Sequence, residues 1–240
     1  LNELFIETRL TLGSEVGGEA KPVPYRALLG AETNHIVFGH PGAGKTTLAR
    51  TLCRHLLMDE ASEASPLEFP IVIRLRETKQ VSLFEAVLDA GGITIDLKCR
   101  FGKTMLKDDI DMFAQVQENA VVDFLNEYSA LLILEGFDEL QDSRRSEWKQ
   151  QIEKLSLQVE SSLILITTRS ASDIGAVHNV RRLFICPFEP SDVEAFVSSW
   201  FDSQDQAEVF LNELRNTPYS GAELRPLTLS TLCAIFERYQ

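Results

Sequence analysis

Eight residues, Gly39-His40-Pro41-Gly42-Ala43-Gly44-Lys45-Thr46, follow the spacing G-x-x-x-x-G-K-[ST]. Glycines at these places free the backbone to turn with its N–H groups facing inward, which makes a cradle for an anion. A helix predicted to open at Lys45 adds the partial positive charge of its N-terminus. Lys45 is positioned to reach the β- and γ-phosphates of a nucleotide, and the Thr46 hydroxyl to ligate a magnesium ion. Thr47 is placed to touch the α-phosphate, and His40 reads as a solvent-facing residue of the loop. The segment therefore predicts a nucleotide site with Mg2+.

Such a site needs an acid at the end of a nearby strand. The run Ala130–Leu134 (ALLIL) leads into Glu135-Gly136-Phe137-Asp138-Glu139. Three carboxylates this close repel one another unless a cation sits among them. Glu135 is assigned the magnesium-bound water, and Asp138 or Glu139 the attacking water, as general base or orienter. A second apolar run, Leu163–Thr167 (LILIT), leads into Thr168-Arg169-Ser170. In a parallel sheet Thr167, Thr168 and Arg169 would sense the γ-phosphate; Arg169 would alternatively pair with the local acids.

These groups need a scaffold, and the apolar runs supply one. His35–Phe38, Pro70–Leu75, Ala130–Leu134, Leu163–Thr167 and Arg182–Cys186 read as strands. Amphipathic helices lie between them. Leu48, Ala49, Leu52, Cys53, Leu56 and Leu57 form one stripe; Phe113, Val116, Ala120, Val121 and Phe124 another; Trp148, Ile152, Leu155 and Val159 a third. Ser82 with Glu85, and Ser191 with Glu194, have the spacing of capping boxes. Strands alternating with helices predict a parallel sheet. The fold class expected is α/β: a P-loop NTPase with a five-stranded parallel sheet and a small C-terminal helical lid. Residues 1–33 read as a lead-in helix and loop, 34–187 as the P-loop domain, and 188–240 as the lid, with helices at 191–201, 204–215 and 226–238.

Composition narrows the partners. With 23 Lys and Arg against 36 Asp and Glu, the net charge is -13 over 240 residues. That balance argues against a sequence-independent grip on nucleic acid and against docking on anionic membranes. No apolar run is long enough to span a bilayer, and no signal peptide is read. Cys53, Cys99, Cys186 and Cys233 have no metal-ligand spacing and read as free thiols of a reducing, cytoplasmic compartment. The chain opens at Leu1 rather than methionine and is expected to be cut from a longer protein.

Four segments together resemble the NACHT branch of the STAND ATPases: Gly39–Thr46, LLILEGFDEL (Leu131–Leu140), LILITTRS (Leu163–Ser170) and RPLTLSTLC (Arg225–Cys233). The resemblance covers residues 33–240, in the family's order. It implies that Pro226 packs on adenine and that the module switches between an ADP-bound closed state and an ATP-bound, self-associating open state. It also implies slow ATP hydrolysis and a role in immune or antiphage signalling. The wording of ITTRS and of the LTLSTLCAIFERYQ tail points to a bacterial source. Two positions depart from the family. Glu135 stands where aspartate is usual, and its extra methylene shifts the carboxylate by about 1.5 Å. Leu224 stands two residues before Pro226 where glycine is usual. The family's winged helix, with its nucleotide-contacting histidine, would follow the last residue.

Three other classes fit less well. An AAA+ motor wants a trans-acting arginine finger and a second sensor arginine, and neither is assignable. A small-molecule kinase wants substrate-gripping arginines soon after the P-loop. A GTPase wants N-K-x-D, and no Asn here has Asp three residues later. Adenine is therefore the expected base.

Overall fold

A computed structural model describes residues 6–12, 22–58, 65–95, 107–169, 174, 176–217 and 224–239. Seven strands form one sheet: β1 (Arg9–Leu12), β2 (Val23–Pro24), β3 (Asn34–Phe38), β4 (Phe69–Arg74), β5 (Ala130–Glu135), β6 (Leu163–Thr168) and β7 (Val180–Ile185). Their spatial order is β2-β1-β7-β3-β6-β5-β4. The five strands from β7 to β4 are parallel, as the alternation of strands and helices predicts. The sheet itself is seven-stranded and mixed, not the five-stranded parallel sheet expected. β1 joins β7 antiparallel, and β2 joins β1. Within the described part of residues 1–33 the expected helix and loop are these two strands and a 3-10 turn, Tyr25–Leu28. Four residues of RLTL and two of VP are too short to show a period, yet Leu10 is fully buried.

The pleat sorts the apolar runs onto two faces. Ile36, Phe38, Leu132, Leu134, Ile164 and Ile166 join one cluster with Val87 of α2 (Leu83–Ala90), Val121 and Leu125 of α3 (Lys107–Glu127), and Trp148, Ile152 and Leu155 of α4 (Asp142–Gln158). Val37, Leu131, Ile133, Leu163, Leu165 and Leu183 face Leu48, Leu52 and Leu56 of α1 (Lys45–Leu57) and the 3-10 turn. Runs such as ALLIL are apolar throughout because both faces are covered.

Two predicted stripes are shifted. Leu57 and Val116 are exposed, while Glu118 on α3 is 5% exposed. Lys154 of α4 reaches Glu118 at 2.6 Å, which compensates a charge that apolar periodicity does not anticipate. At α2 the Ser82 Oγ accepts from Glu85 N, and the Glu85 carboxylate turns back to Val81 N.

The last three helices, α5 (Pro190–Trp200), α6 (Gln204–Arg215) and α7 (Pro226–Tyr239), match the expected lid helices. They bury their own core, in which Phe201, Phe210 and Phe236 meet at centroid distances of 5.2–5.6 Å. The cap of α5 is not the expected Ser191–Glu194 pair. The helix opens earlier, at Pro190, and Glu189 N donates to Asp192 Oδ2 at 2.8 Å. Proline has no N–H to leave unpaired in the first turn, which favours this earlier start.

His35 lies on β3 with 1% of its surface exposed. Burial, with repulsion from Arg181, pushes its pKa down to about 4 from 6.5, against a weaker backbone pull from Leu28. A neutral native imidazole and a charged unfolded one make the unfolded state bind the extra proton. His35 therefore contributes nothing adverse above pH 6.5, and stability falls between pH 6.5 and about 4. Denaturant midpoints at pH 7 and pH 5 should show wild type losing about 2 kcal/mol more than His35→Leu over that interval. Equal losses in both proteins would remove His35 as the cause.

Candidate functional site

The phosphate-loop motif connects the end of β3 to α1. Gly42 has φ +74° and Gly44 has φ +98°, values that glycine tolerates and β-carbon residues rarely adopt. Gly44 is the N-cap of α1, and no side chain caps that helix. The first N–H groups of a helix have no intrahelical acceptor, so this end is built to receive an anion. Lys45 donates from Nζ to the Gly39 carbonyl at 2.5 Å and to the His40 carbonyl at 3.1 Å. Burial pulls its pKa below the ordinary lysine range, against the attraction of Asp138, Glu139 and Glu135 and with the repulsion of Arg169. His40 and Pro41 are exposed on the loop, as are Thr46 and Thr47.

The sheet order brings the predicted acids to this loop. β6 lies between β3 and β5, with Phe38 opposite Thr168. Gly39 N donates to the Thr168 carbonyl at 3.2 Å. Thr46 Oγ1 hydrogen-bonds Glu135 Oε1. Gly136, at φ +77°, turns the chain out of β5 and donates to Thr167 Oγ1 at 3.0 Å. Asp138 and Glu139 follow on a 3-10 turn anchored by buried Phe137. Arg169 answers both acids: Nε lies 3.0 Å from Asp138 Oδ2, Nη2 lies 2.8 Å from Glu139 Oε1, and its backbone N–H reaches Asp138 Oδ1 at 3.0 Å. Of the two roles open for Arg169, the ion pair is the one this geometry displays.

The profile of the family described as NACHT domain matches residues 34–204. The chain belongs to the NACHT family. This is a family of STAND P-loop NTPases, so the domain is a nucleotide-binding P-loop ATPase. No curated protein matches the chain. Among solved structures it is similar to the Aeropyrum pernix ORC1 protein in complex with DNA, at 16% identity and a TM-score of 0.49 over 86% of this chain and 54% of that one. It is also similar to the Aeropyrum pernix ORC2 protein (ADPNP-ADP complexes), at 14% identity and a TM-score of 0.46 over 87% and 63%. The chain thus spans little more than half the length of the first and under two thirds of the second.

Past the residues that match the NACHT family, the site continues onto the C-terminal helices. The N-terminus of α7 rests on the phosphate loop. Leu227 N donates to the Gly42 carbonyl at 3.3 Å, and a β-carbon on Gly42 would come within 2.6 Å of Leu227 Cβ. One on Gly44 would lie 3.9 Å from Pro226 Cγ. Leu224 is buried in the lid core, and its carbonyl accepts from Phe188 N at 3.1 Å. A cleft of about 600 Å³ runs from residues 41–47 past Pro226 to Ile185, Phe188 and Phe196, and is walled by residues 6–9. Glycine cradle, polar floor and apolar far end fit a nucleotide. A cleft of similar size between α1, β4 and α2 has no glycine loop. For a metal, the Thr46 hydroxyl and Glu135 carboxylate converge as hard oxygen donors, a fit for Mg2+ completed by water and phosphate. Among the described residues no three His, Cys, Asp or Glu side chains form a metal cluster.

Several residues around the site escape sequence reasoning. Residues 6–9 lie far from the motif along the chain, and nothing in their types marks them. Arg145 braces the acidic turn by donating to the Asp138 and Leu140 carbonyls at 3.2 and 3.0 Å. Arg74 had a usable signal: it ends a parallel strand, where sites in such sheets collect.

Lys45→Ala should abolish ATP and ADP binding in calorimetry while the circular dichroism spectrum stays native. Gly42→Ala should weaken both by about 1–3 kcal/mol, because its methyl must displace Leu227 and hold an unfavourable φ. Unchanged affinity in a folded Lys45→Ala protein would remove the phosphate-loop assignment.

Proposed function

We propose that this NACHT domain is a nucleotide-controlled switch that binds ATP or ADP with Mg2+ and hydrolyses ATP slowly, within an immune or antiphage signalling protein. The observation that carries the reading is the seating of α7 on the phosphate loop through Gly42 and Leu227. A lid in direct contact with the loop moves when the loop's ligand changes. In the proposed cycle ADP holds the lid closed, and ATP opens it for self-association. The wider protein would work in the cytoplasm. Burial raises the pKa of Cys53 to about 11 and of Cys233 to about 12, which keeps both as unreactive thiols.

Each residue has a proposed part. Residues 39–47 hold the phosphates: the backbone of Gly39, His40, Pro41, Gly42, Ala43 and Gly44 wraps around them, Lys45 neutralises them, and Thr47 meets the first phosphate. Pro226 packs on adenine. Thr46 would ligate Mg2+ and Glu135 would hold the ion through its bound water; the ion would supply charge neutralisation at the transferring phosphate. Glu139 takes the proton of the attacking water, with Asp138 beside it, and Arg169 leaves its acids to meet the γ-phosphate.

The nucleotide released from purified protein on denaturation should be ADP, and steady-state turnover should stay below about 1 s⁻¹. An empty site turning over on the order of tens per second would instead mark a motor. Glu139→Gln should keep ATP affinity and lose phosphate release, trapping the ATP state. Parental hydrolysis in that variant would move the base to Asp138.

A further inference from the structure

Glu135 is held from two sides. Its Oε1 accepts from Thr46 Oγ1 on α1. Its other oxygen, Oε2, lies 3.7 Å from Nε of Arg74, the last residue of β4. The two residues are direct partners in the parallel register of β4 and β5, so the guanidinium is delivered by the sheet rather than by a loop. Leu75 N donates to the Glu135 carbonyl at 3.0 Å, which extends that register past the strand end. Glu77 holds Arg74 Nη1 on its far side at 3.5 Å. A hollow of about 110 Å³ opens here, with Lys45, Thr46, Arg74, Arg76, Glu135 and Glu139 among its walls.

Glutamate has one more rotatable bond than aspartate, and a free glutamate carboxylate would sample several orientations at this strand end. Tying one oxygen to a strand-borne cation leaves the other aimed at the Thr46 hydroxyl. We propose that Arg74 is a positioning residue: it fixes the Glu135 carboxylate so that one oxygen serves the magnesium shell beside Thr46. The inference rests on the proposed Mg2+–nucleotide reading of this site. Arg74 takes no proton and touches no reacting atom in this role; it sets the geometry of the residue that does meet the metal's water.

The test is the Mg2+ concentration needed for half-maximal binding of a fluorescent ATP analogue to the same chain. Arg74→Ala should raise that concentration about tenfold, the usual cost of losing a partner behind a metal ligand. Its affinity for ADP in EDTA should stay at the wild-type value, which also shows that the variant is folded. Arg74→Lys should recover part of the loss. An unchanged Mg2+ requirement in Arg74→Ala, or an equal loss of metal-free ADP binding, would overturn the positioning role. Wild-type protein that binds neither nucleotide would overturn the underlying reading instead.

Discussion

Helix α1 begins at a glycine in the left-handed region, with no side chain to satisfy its first amides. That choice governs much of what surrounds it. A capped helix would be more stable by about 1 kcal/mol but would have its N-terminus occupied. Leaving the end open creates a donor-rich, partly positive point at the C-terminal edge of a parallel sheet. Lys45 adds a full charge there, partly buried. This lysine turns to the Gly39 and His40 carbonyls, which take two of its three donors.

The same concentration of donors explains the acids opposite. Glu135, Asp138 and Glu139 crowd one strand end, and each finds a cationic or hydroxyl partner: Arg74 and Thr46 for Glu135, Arg169 for the other two. Charges so paired are tolerable at the rim of the sheet, where water still reaches. They also form a chain of exchangeable contacts. A phosphate entering the loop offers Lys45 and Arg169 a stronger acceptor than a carbonyl or a shared carboxylate, because phosphate oxygens take bidentate arginine well. A cation entering beside Thr46 offers Glu135 a better partner than a hydroxyl. On the proposed reading, binding would rearrange contacts already present at the strand ends.

The parallel strands and the lid helices were legible because their signals are long. ALLIL and LILIT run apolar for five residues each, and α4 and α7 repeat over three turns or more. β1 and β2 were not legible: RLTL offers one buried leucine, and its pairing with β7 joins residues far apart in the chain. Glu118 was missed for a related reason, since its partner Lys154 lies on another helix. At the site, the glycine loop and both acidic and arginine-ended strands were read from local spacing. The lining by residues 6–9 and the Arg74–Glu135 pair depend on sheet order, which no local pattern contains.

In the proposed switch, coupling between loop and lid would follow from how little room the loop has. Gly42 lies so close to Leu227 that no β-carbon fits between them, and Leu227 is also hydrogen-bonded to the Gly42 carbonyl. Leu229 and Cys233, on the following turns of α7, are buried in the lid's aromatic core. A displacement at Gly42 is thus passed to a packed helix rather than absorbed by a flexible side chain, since packed interiors move between discrete arrangements. The lid is tied at its other end as well. Arg9 of β1 meets Glu189 at 2.6 Å and also pairs with Asp192 at the start of α5. The strand that sequence reading overlooked therefore anchors one end of the lid to the sheet, while the phosphate loop holds the other. Any rotation of the lid away from the loop has to proceed about the Arg9 contact or break it.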